Sequence, residues 1–331
     1  MSETADSMPS SPQQAVLEQT AQWLRCGERV WLCTILSTWG SSPRPPGALL
    51  ALSESGEWAG SVSGGCLEED LIRRAQSDAL AEGIQLVDYG VEEADKARYR
   101  LPCGGHIRLL VEFLAGEDDL AHVEALLQGL GERRRLTRKI TLATGERSLL
   151  PDPVASGVAV DDEAAYHTLG PQCRLLLVGA GEVARYVARF AMAADFEVTL
   201  CEPREAFRRG WGEPGVPVEV RLPDDLIRER FNDRHSAILA LAHDPRVDDM
   251  ALLEALHSQA FYVGAMGSAR TSAQRRQRLH ELGIQSYQLA RLHAPIGLDI
   301  GSKTPAEIAI SILAQLVGER YRLLQRSLTG R

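Results

Sequence analysis

CRLLLVGAGEVA, residues 173–184, is an apolar run that passes through two glycines into a helical pattern. A strand covered on one face alternates apolar and polar residues. A run apolar throughout marks a parallel strand buried on both faces. Gly179 and Gly181 let the backbone turn tightly and approach a phosphate, and the N–H groups of the following helix carry partial positive charge. Ala184 takes the third position of a G-x-G-x-x-G/A fingerprint. Glu202 ends the next apolar stretch about twenty residues on, where a carboxylate can accept from a ribose hydroxyl. Arg204 suits a phosphorylated ribose, or else pairs with solvent or Glu205. Strand, loop, helix, strand and acid fall in order, so the stretch reads as Rossmann-like. The bland alternative for the glycines is a tight turn in an empty Rossmann domain.

Working outward, strands at 196–201, 237–242 and 261–264 alternate with helices at 182–194, 251–258 and 272–282, which predicts a doubly wound parallel sheet over 172–331. Thr304-Pro305-Ala306-Glu307 fits a capping box that opens a last helix. The stripe Ile308, Ile312, Leu313, Leu316 and Tyr321 on that helix is core, or packs a dimer. Upstream, 151–171 is rich in Pro, Gly and Asp and reads as a linker over the surface. Residues 15–150 read as a smaller α+β domain, and 1–14 as a flexible tail. In that first domain the pattern predicts helices at 15–24 and 120–130 and a strand at 30–38. It also predicts a hairpin of 48–52 with 58–62, a helical stretch from 63–66 to about 82, and a strand closing RLPCGGHIRLLVE, residues 100–112. The class is therefore α/β, with a C-terminal Rossmann-like doubly wound parallel sheet preceded by the smaller domain.

The chain of 331 residues is 44% hydrophobic, ample for two cores. Its formal charge of -9 argues against nucleic acid and against an anionic membrane surface as partners. No apolar run reaches the ~18–20 residues of a membrane span. The polar, acidic start lacks the features of a secretory signal, so the expected location is the cytoplasm. The cysteines at 26, 33, 66, 103, 173 and 201 form no C-x-x-C, and a disulfide framework is not expected in a reducing compartment.

GSSPRPPGA (40–48) followed by GSVSGGCLEED (60–70) resembles the N-terminal signature of the XdhC/CoxI family of xanthine dehydrogenase accessory factors. CGG at 103–105 is similar to that family's second cysteine motif. YVGAMGSARTSAQRRQRL (262–279) and LHAPIGLDIGSKTPAEIAISILAQL (292–316) resemble its C-terminal domain. Ala265-Met266 and Gln315 depart from the usual pattern, away from the cysteine motifs. The resemblance implies a chaperone that binds molybdenum cofactor, supports its sulfuration with a cysteine desulfurase, and inserts it into apo xanthine dehydrogenase or a related molybdenum hydroxylase. It implies a homodimer and a maturation factor rather than an enzyme. The alternative is an NAD(P)-dependent oxidoreductase using the Rossmann domain, which leaves NAD(P) or another nucleotide as a second cofactor. His243 and Lys303 are acid/base candidates for it, but no motif supports them.

A metallopterin carrier needs an anion cradle, soft donors and shelter. Ser61, Ser63, Gly64 and Gly65 precede a helix, so their N–H groups suit phosphate or oxo ligands. Cys66, in the expected first helical turn, and Cys103, beside Gly104 and Gly105, are the thiol candidates for molybdenum. Their structural alternative is a small buried hydrophobe, the preferred reading for Cys26, Cys33, Cys173 and Cys201. Arg44, in a proline-stiffened loop, is either a phosphate-binding guanidinium or a solvated arginine. Glu68 and Glu69 read as first-turn acids that favour the helix dipole, and His106 as a satisfied strand histidine. Gly267-Ser268 opens a helix able to bind an anion, and the arginines at 270, 275, 276 and 278 read as its solvated face. Asp299 is the polar site candidate in the GLDIG loop.

Overall fold

The computed structural model describes residues 11–39, 44–65, 67–77, 79–80, 82–90, 106–150 and 157–329. The chain divides into two units, Ser10–Pro171 and Gln172–Arg331.

The second unit is built on a six-stranded, all-parallel sheet. Its strands are β10 (Arg174–Val178), β11 (Glu197–Cys201), β12 (Val218–Glu219), β13 (Ser236–Ala240), β14 (Tyr262–Ala265) and β15 (Leu292–His293), in the order β12-β11-β10-β13-β14-β15. The uninterrupted Leu run of β10 follows from burial on both sides. Leu175 and Leu177 pack with α4 (Glu182–Ala193) and the long α10 (Pro305–Thr329). Leu176 and Val178 pack with α6 (Pro223–Arg230), α7 (Pro245–His257) and α8 (Ala269–Glu281). Two short helices, α5 (Glu205–Arg208) and α9 (Ser286–Leu289), complete the unit. The chain winds from β10 to one side, then returns to the other at β13, so the strand order reverses between β10 and β13. The capping box forms as expected. Thr304 Oγ1 accepts from the Glu307 N–H at 3.3 Å, and Glu307 accepts from the Thr304 N–H at 3.0 Å. On α10, Ile312 and Leu316 are core, whereas Tyr321 is exposed.

The first unit holds two antiparallel sheets. One orders β3 (Trp58–Gly60), β2 (Leu49–Ser53), β1 (Val30–Trp39), β5 (His106–Leu114) and β4 (Ile84–Tyr89) side by side. Val30 and Leu32 of β1 face α1 (Pro12–Arg25) and α3 (Gly116–Gly131). Trp31, Cys33 and Ile35 face the opposite core, with Leu71 of α2 (Glu68–Gln76). The other sheet orders β7 (Arg147–Leu150), β6 (Leu136–Thr141), β9 (Ala164–Leu169) and β8 (Val158–Val160).

Three expectations change. Residues 12–14, expected in the tail over 1–14, are helical, because Pro12 starts α1 and Ser11 caps it, its side chain accepting from the Gln14 N–H. The linker expected over 151–171 contains β8 and β9, whose strand pairing overrides a Pro/Gly/Asp composition. The helix expected from 63–66 starts at Glu68, because residues 61–65 wrap around a carboxylate.

Buried charge ties the two sheets together. Arg138 of β6 donates to both oxygens of Glu112 on β5, at 2.7 and 2.9 Å, and Arg147 donates to Glu112 at 3.0 Å. Arg138 and Glu112 are fully buried. Burial and Arg138 together push His122 and His167 down to about 3, so both stay neutral.

Candidate functional site

The antiparallel register decides where the motifs meet. Trp39 at the end of β1 pairs with His106 at the start of β5, and Tyr89 at the end of β4 pairs with Ile107. Leu49 at the start of β2 pairs with Thr34, and Gly60 at the end of β3 pairs with Leu50. The 40–48 segment, the 61–67 loop and the CGG element therefore all join the sheet at one end. Cys66, Cys103, Gly104 and Gly105 lie outside the described residues, but the strands that anchor their motifs share that end. Arg44 is exposed there.

The 61–65 loop is closed by the protein itself. Glu68 Oε1 accepts from Ser61 Oγ (2.7 Å) and from the N–H groups of Val62 and Ser63 (2.9 Å each). Its Oε2 accepts from the Gly65 N–H at 2.9 Å and from Ser63 Oγ. The Gly64 N–H donates to Ser61 Oγ at 3.1 Å, and the Leu67 N–H to Ser63 Oγ at 2.8 Å. Burial pushes the Glu68 carboxyl up, but the Ser63 and Ser61 hydrogen bonds outweigh it and bring it down to about 2. The cradle expected from Ser61, Ser63, Gly64 and Gly65 is thus closed from within, Glu68, read as a helix-dipole acid, meeting Ser61, Ser63 and Gly65, and Ser61 Oγ meeting the Gly64 N–H. The signal was the three-residue spacing of Gly65 and Glu68, at which an acid can reach back to an upstream N–H. A cavity of about 390 Å³ opens beside this loop, lined by Trp58, Gly60, Gly64, Gly65, Glu69 and Ile72.

In the Rossmann unit, Gly179 sits at φ +107°, and a Cβ there would come 2.4 Å from Ala242 Cα. It is a close-approach glycine between the β10 and β13 ends. Gly181 caps α4, and a Cβ on it would meet nothing closer than 3.9 Å. Glu202, expected to face a ribose, is fully buried. It accepts from the Ala180 N–H at 3.0 Å and from the Arg204 N–H, Nε and Nη2 at 2.7–3.0 Å. Burial raises its carboxyl, and these bonds win and lower it. Neither group then presents itself to a ribose: Arg204 answers to Glu202 and stacks on Phe207, its guanidinium carbon 4.1 Å from the ring centre.

Ser268 is the N-cap of α8, accepting from the Thr271 N–H at 3.2 Å, and Gly267 precedes it. Of the arginines expected on a solvated face, Arg270 is exposed, but Arg275, Arg276 and Arg278 turn onto the protein. Arg275 is buried and pairs with Asp248 at 3.3 Å, Arg276 donates to the Leu289 and Leu292 carbonyls, and Arg278 pairs with Asp249 at 2.8 Å. Asp299 is exposed on its loop. A larger cleft, about 820 Å³, lies at the amino ends of β13 and β14, lined among others by Arg234, Phe261, Arg291 and Glu319. Rossmann ligands bind at the carboxyl ends, and Arg291 is held there by the Leu256, Ser258 and Ala260 carbonyls.

Cys33, Cys173 and Cys201 are buried, and burial pushes the Cys33 and Cys201 thiols up to about 12. Cys26 is exposed at the end of α1, contrary to the buried reading. Among the described residues no group of three or more His, Cys, Asp or Glu side chains is arranged to hold a metal, and no helix is long and apolar enough to cross a membrane.

Fold and site together define an α/β protein with a Rossmann unit and an antiparallel unit in which the strands that flank the glycine-rich motifs share one sheet end. Residues 175–316 match the XdhC Rossmann domain and residues 23–90 match the XdhC and CoxI family. The chain belongs to the XdhC/CoxI family. It is 25% identical over 315 residues to the Escherichia coli molybdenum cofactor insertion chaperone PaoD, spanning 92% of this chain and 88% of that protein. It is 25% identical over 324 residues to a Bacillus subtilis protein named as a probable xanthine dehydrogenase component, spanning 89% and 94%. A crystal structure titled as a xanthine dehydrogenase from Bacillus halodurans superposes with a TM-score of 0.75 at 25% identity, covering 95% of this chain and 98% of that one.

Proposed function

We propose that this protein is a molybdenum cofactor chaperone that holds the metallopterin at the motif end of the five-stranded sheet and delivers it to a molybdenum hydroxylase such as xanthine dehydrogenase. The observation that carries the reading is the register that anchors the 40–48, 61–67 and CGG motifs at one sheet end. The relative named as an insertion chaperone supports the cargo, and the relative named for xanthine dehydrogenase supports the recipient. In this proposal Cys66 and Cys103 are thiolate contacts for a soft metal. Gly104 and Gly105 allow close approach of a bulky ligand. Because Glu68 engages the Ser63 and Gly65 N–H groups, the cargo's phosphate is assigned to the planar fork of Arg44.

Sulfuration with a cysteine desulfurase, homodimer formation and action in the cytoplasm belong to the same proposal. The nicotinamide alternative is weakened by Glu202, which the fold turns inward onto Ala180 and Arg204. Anaerobic purification from cells lacking the client enzyme tests the reading. The expected result is bound molybdenum and pterin, with activation of an apo-hydroxylase, both reduced in Cys66→Ser and Cys103→Ser. Absence of both metal and activation in the wild-type protein defeats it.

A further inference from the structure

We infer that Trp39 and His106 form a stacking platform for the planar heteroaromatic ring of the cargo, an inference that rests on the chaperone reading for the ring's identity. Trp39 ends β1, yet 52% of its surface stays in solvent. One ring neighbour is His106, its partner across the ladder, at 4.5 Å between centroids and 12° between planes. His106 is itself fixed: its Nε2 lies 2.8 Å from Asp88 Oδ1, and Arg108 holds both oxygens of that carboxylate. Those contacts hold Asp88 below the usual carboxylate range despite the opposing effect of burial.

Such an arrangement is preorganised. A carboxylate sets the plane of the imidazole, the imidazole sets the plane of the indole, and the indole is left largely uncovered. An indole costs free energy to leave in water, and its quadrupolar face prefers an offset-stacked planar partner. The position is also particular. Trp39 immediately precedes the GSSPRPPGA motif, and His106 immediately follows CGG. The platform therefore stands at the root of two of the three motifs assigned to the cargo. The chemistry it recognises is a flat nitrogen heterocycle, which in a metallopterin is the pterin. A nucleobase has the same face, so the test separates the two.

The experiment measures molybdenum and pterin in protein purified without oxygen, and titrates the full chain with free pterin-6-carboxylate and with AMP by calorimetry. Wild-type, Trp39→Ala, Trp39→Phe and Asp88→Asn proteins are compared. Stacking on an aromatic side chain contributes a factor of roughly 5 to 150 per ring. Trp39→Ala is expected to lose about tenfold in bound pterin, Trp39→Phe to retain most of it, and Asp88→Asn to fall between as the imidazole is released. Cargo retained in full by Trp39→Ala overturns the platform while leaving the chaperone reading standing. A wild-type protein that is free of molybdenum and activates no apo-hydroxylase, but still binds pterin-6-carboxylate through Trp39, keeps the platform and removes the chaperone reading. AMP binding as tightly as the pterin, with the same loss in Trp39→Ala, overturns the pterin assignment. Absence of every kind of binding, with no activation of an apo-hydroxylase, overturns both.

Discussion

Replacing Glu68 with glutamine isolates the buried carboxylate that closes the 61–65 loop. Its two oxygens accept from Ser61 Oγ, Ser63 Oγ and the N–H groups of Val62, Ser63 and Gly65. Despite burial, these bonds take the carboxyl from 4.5 to about 2. At about 1.4 kcal/mol per pKa unit the difference corresponds to roughly 3 kcal/mol. Allowing for solvent at the loop's open side, about 2 to 3 kcal/mol is expected. Glutamine keeps the shape but removes the charge and turns an NH₂ toward N–H donors, leaving some unmet. At pH 7 Glu68→Gln should therefore unfold about 2 to 3 kcal/mol more easily, with a Tm lower by about 4 to 12 °C. The sign of the pH dependence follows from the folded pKa lying below the unfolded one. The stabilisation is complete above about pH 4.5 and disappears as the pH falls toward 2, so acidification closes the gap between the two proteins. Urea unfolding followed by tryptophan fluorescence reads the right unit, since Trp23, Trp31, Trp39 and Trp58 lie in it and only Trp211 lies elsewhere. A loss under about 0.5 kcal/mol at pH 7, or a gap of undiminished size at pH 3, refutes the reasoning.

The two Rossmann glycines should behave differently. Gly179→Ala drives a Cβ into Ala242 at a left-handed φ and is expected to cost about 2 to 4 kcal/mol, whereas Gly181→Ala enters open space and should cost under about 1 kcal/mol. Equal effects in denaturant titrations contradict this. Glu112→Gln leaves the buried Arg138 guanidinium without its carboxylate and Arg147 with Asp119 alone, and should destabilise by about 3 to 5 kcal/mol. A neutral outcome in the same assay dismisses the buried triad as a structural tie. His122 and His167 are depressed from 6.5 to about 3, by burial first and Arg138 second. The unfolded chain takes up their protons first, so their contribution is complete above pH 6.5 and is lost as pH falls toward 3. The slope is up to about 1.4 kcal/mol per pH unit for each histidine. Urea midpoints that stay flat from pH 6.5 to 4.5 count against it.

Local pattern alone settled the Rossmann unit, the Thr304–Glu307 cap and the family. Burial on both faces writes an unbroken apolar run, and a cap involves residues only a few positions apart, so both are recorded in neighbouring letters. What the tertiary structure decided is which polar group meets which. Glu202 was correctly placed at a strand end, yet whether it faces a crevice or turns onto Ala180 and Arg204 depends on the packing of its loop. Arg275 and Arg278 of α8 looked solvated because their acids, Asp248 and Asp249, sit on α7, and Arg276 because the Leu289 and Leu292 carbonyls that it meets lie beyond the helix. Ser63 and Gly65 looked ready for an anion because the spacing to Glu68 permits a fold-back without requiring it. Trp39 and His106 become a stacked pair only through the β1–β5 register. Hydrogen bonds and ring contacts of this kind are chosen by three-dimensional proximity between distant segments, and composition and periodicity carry no record of it.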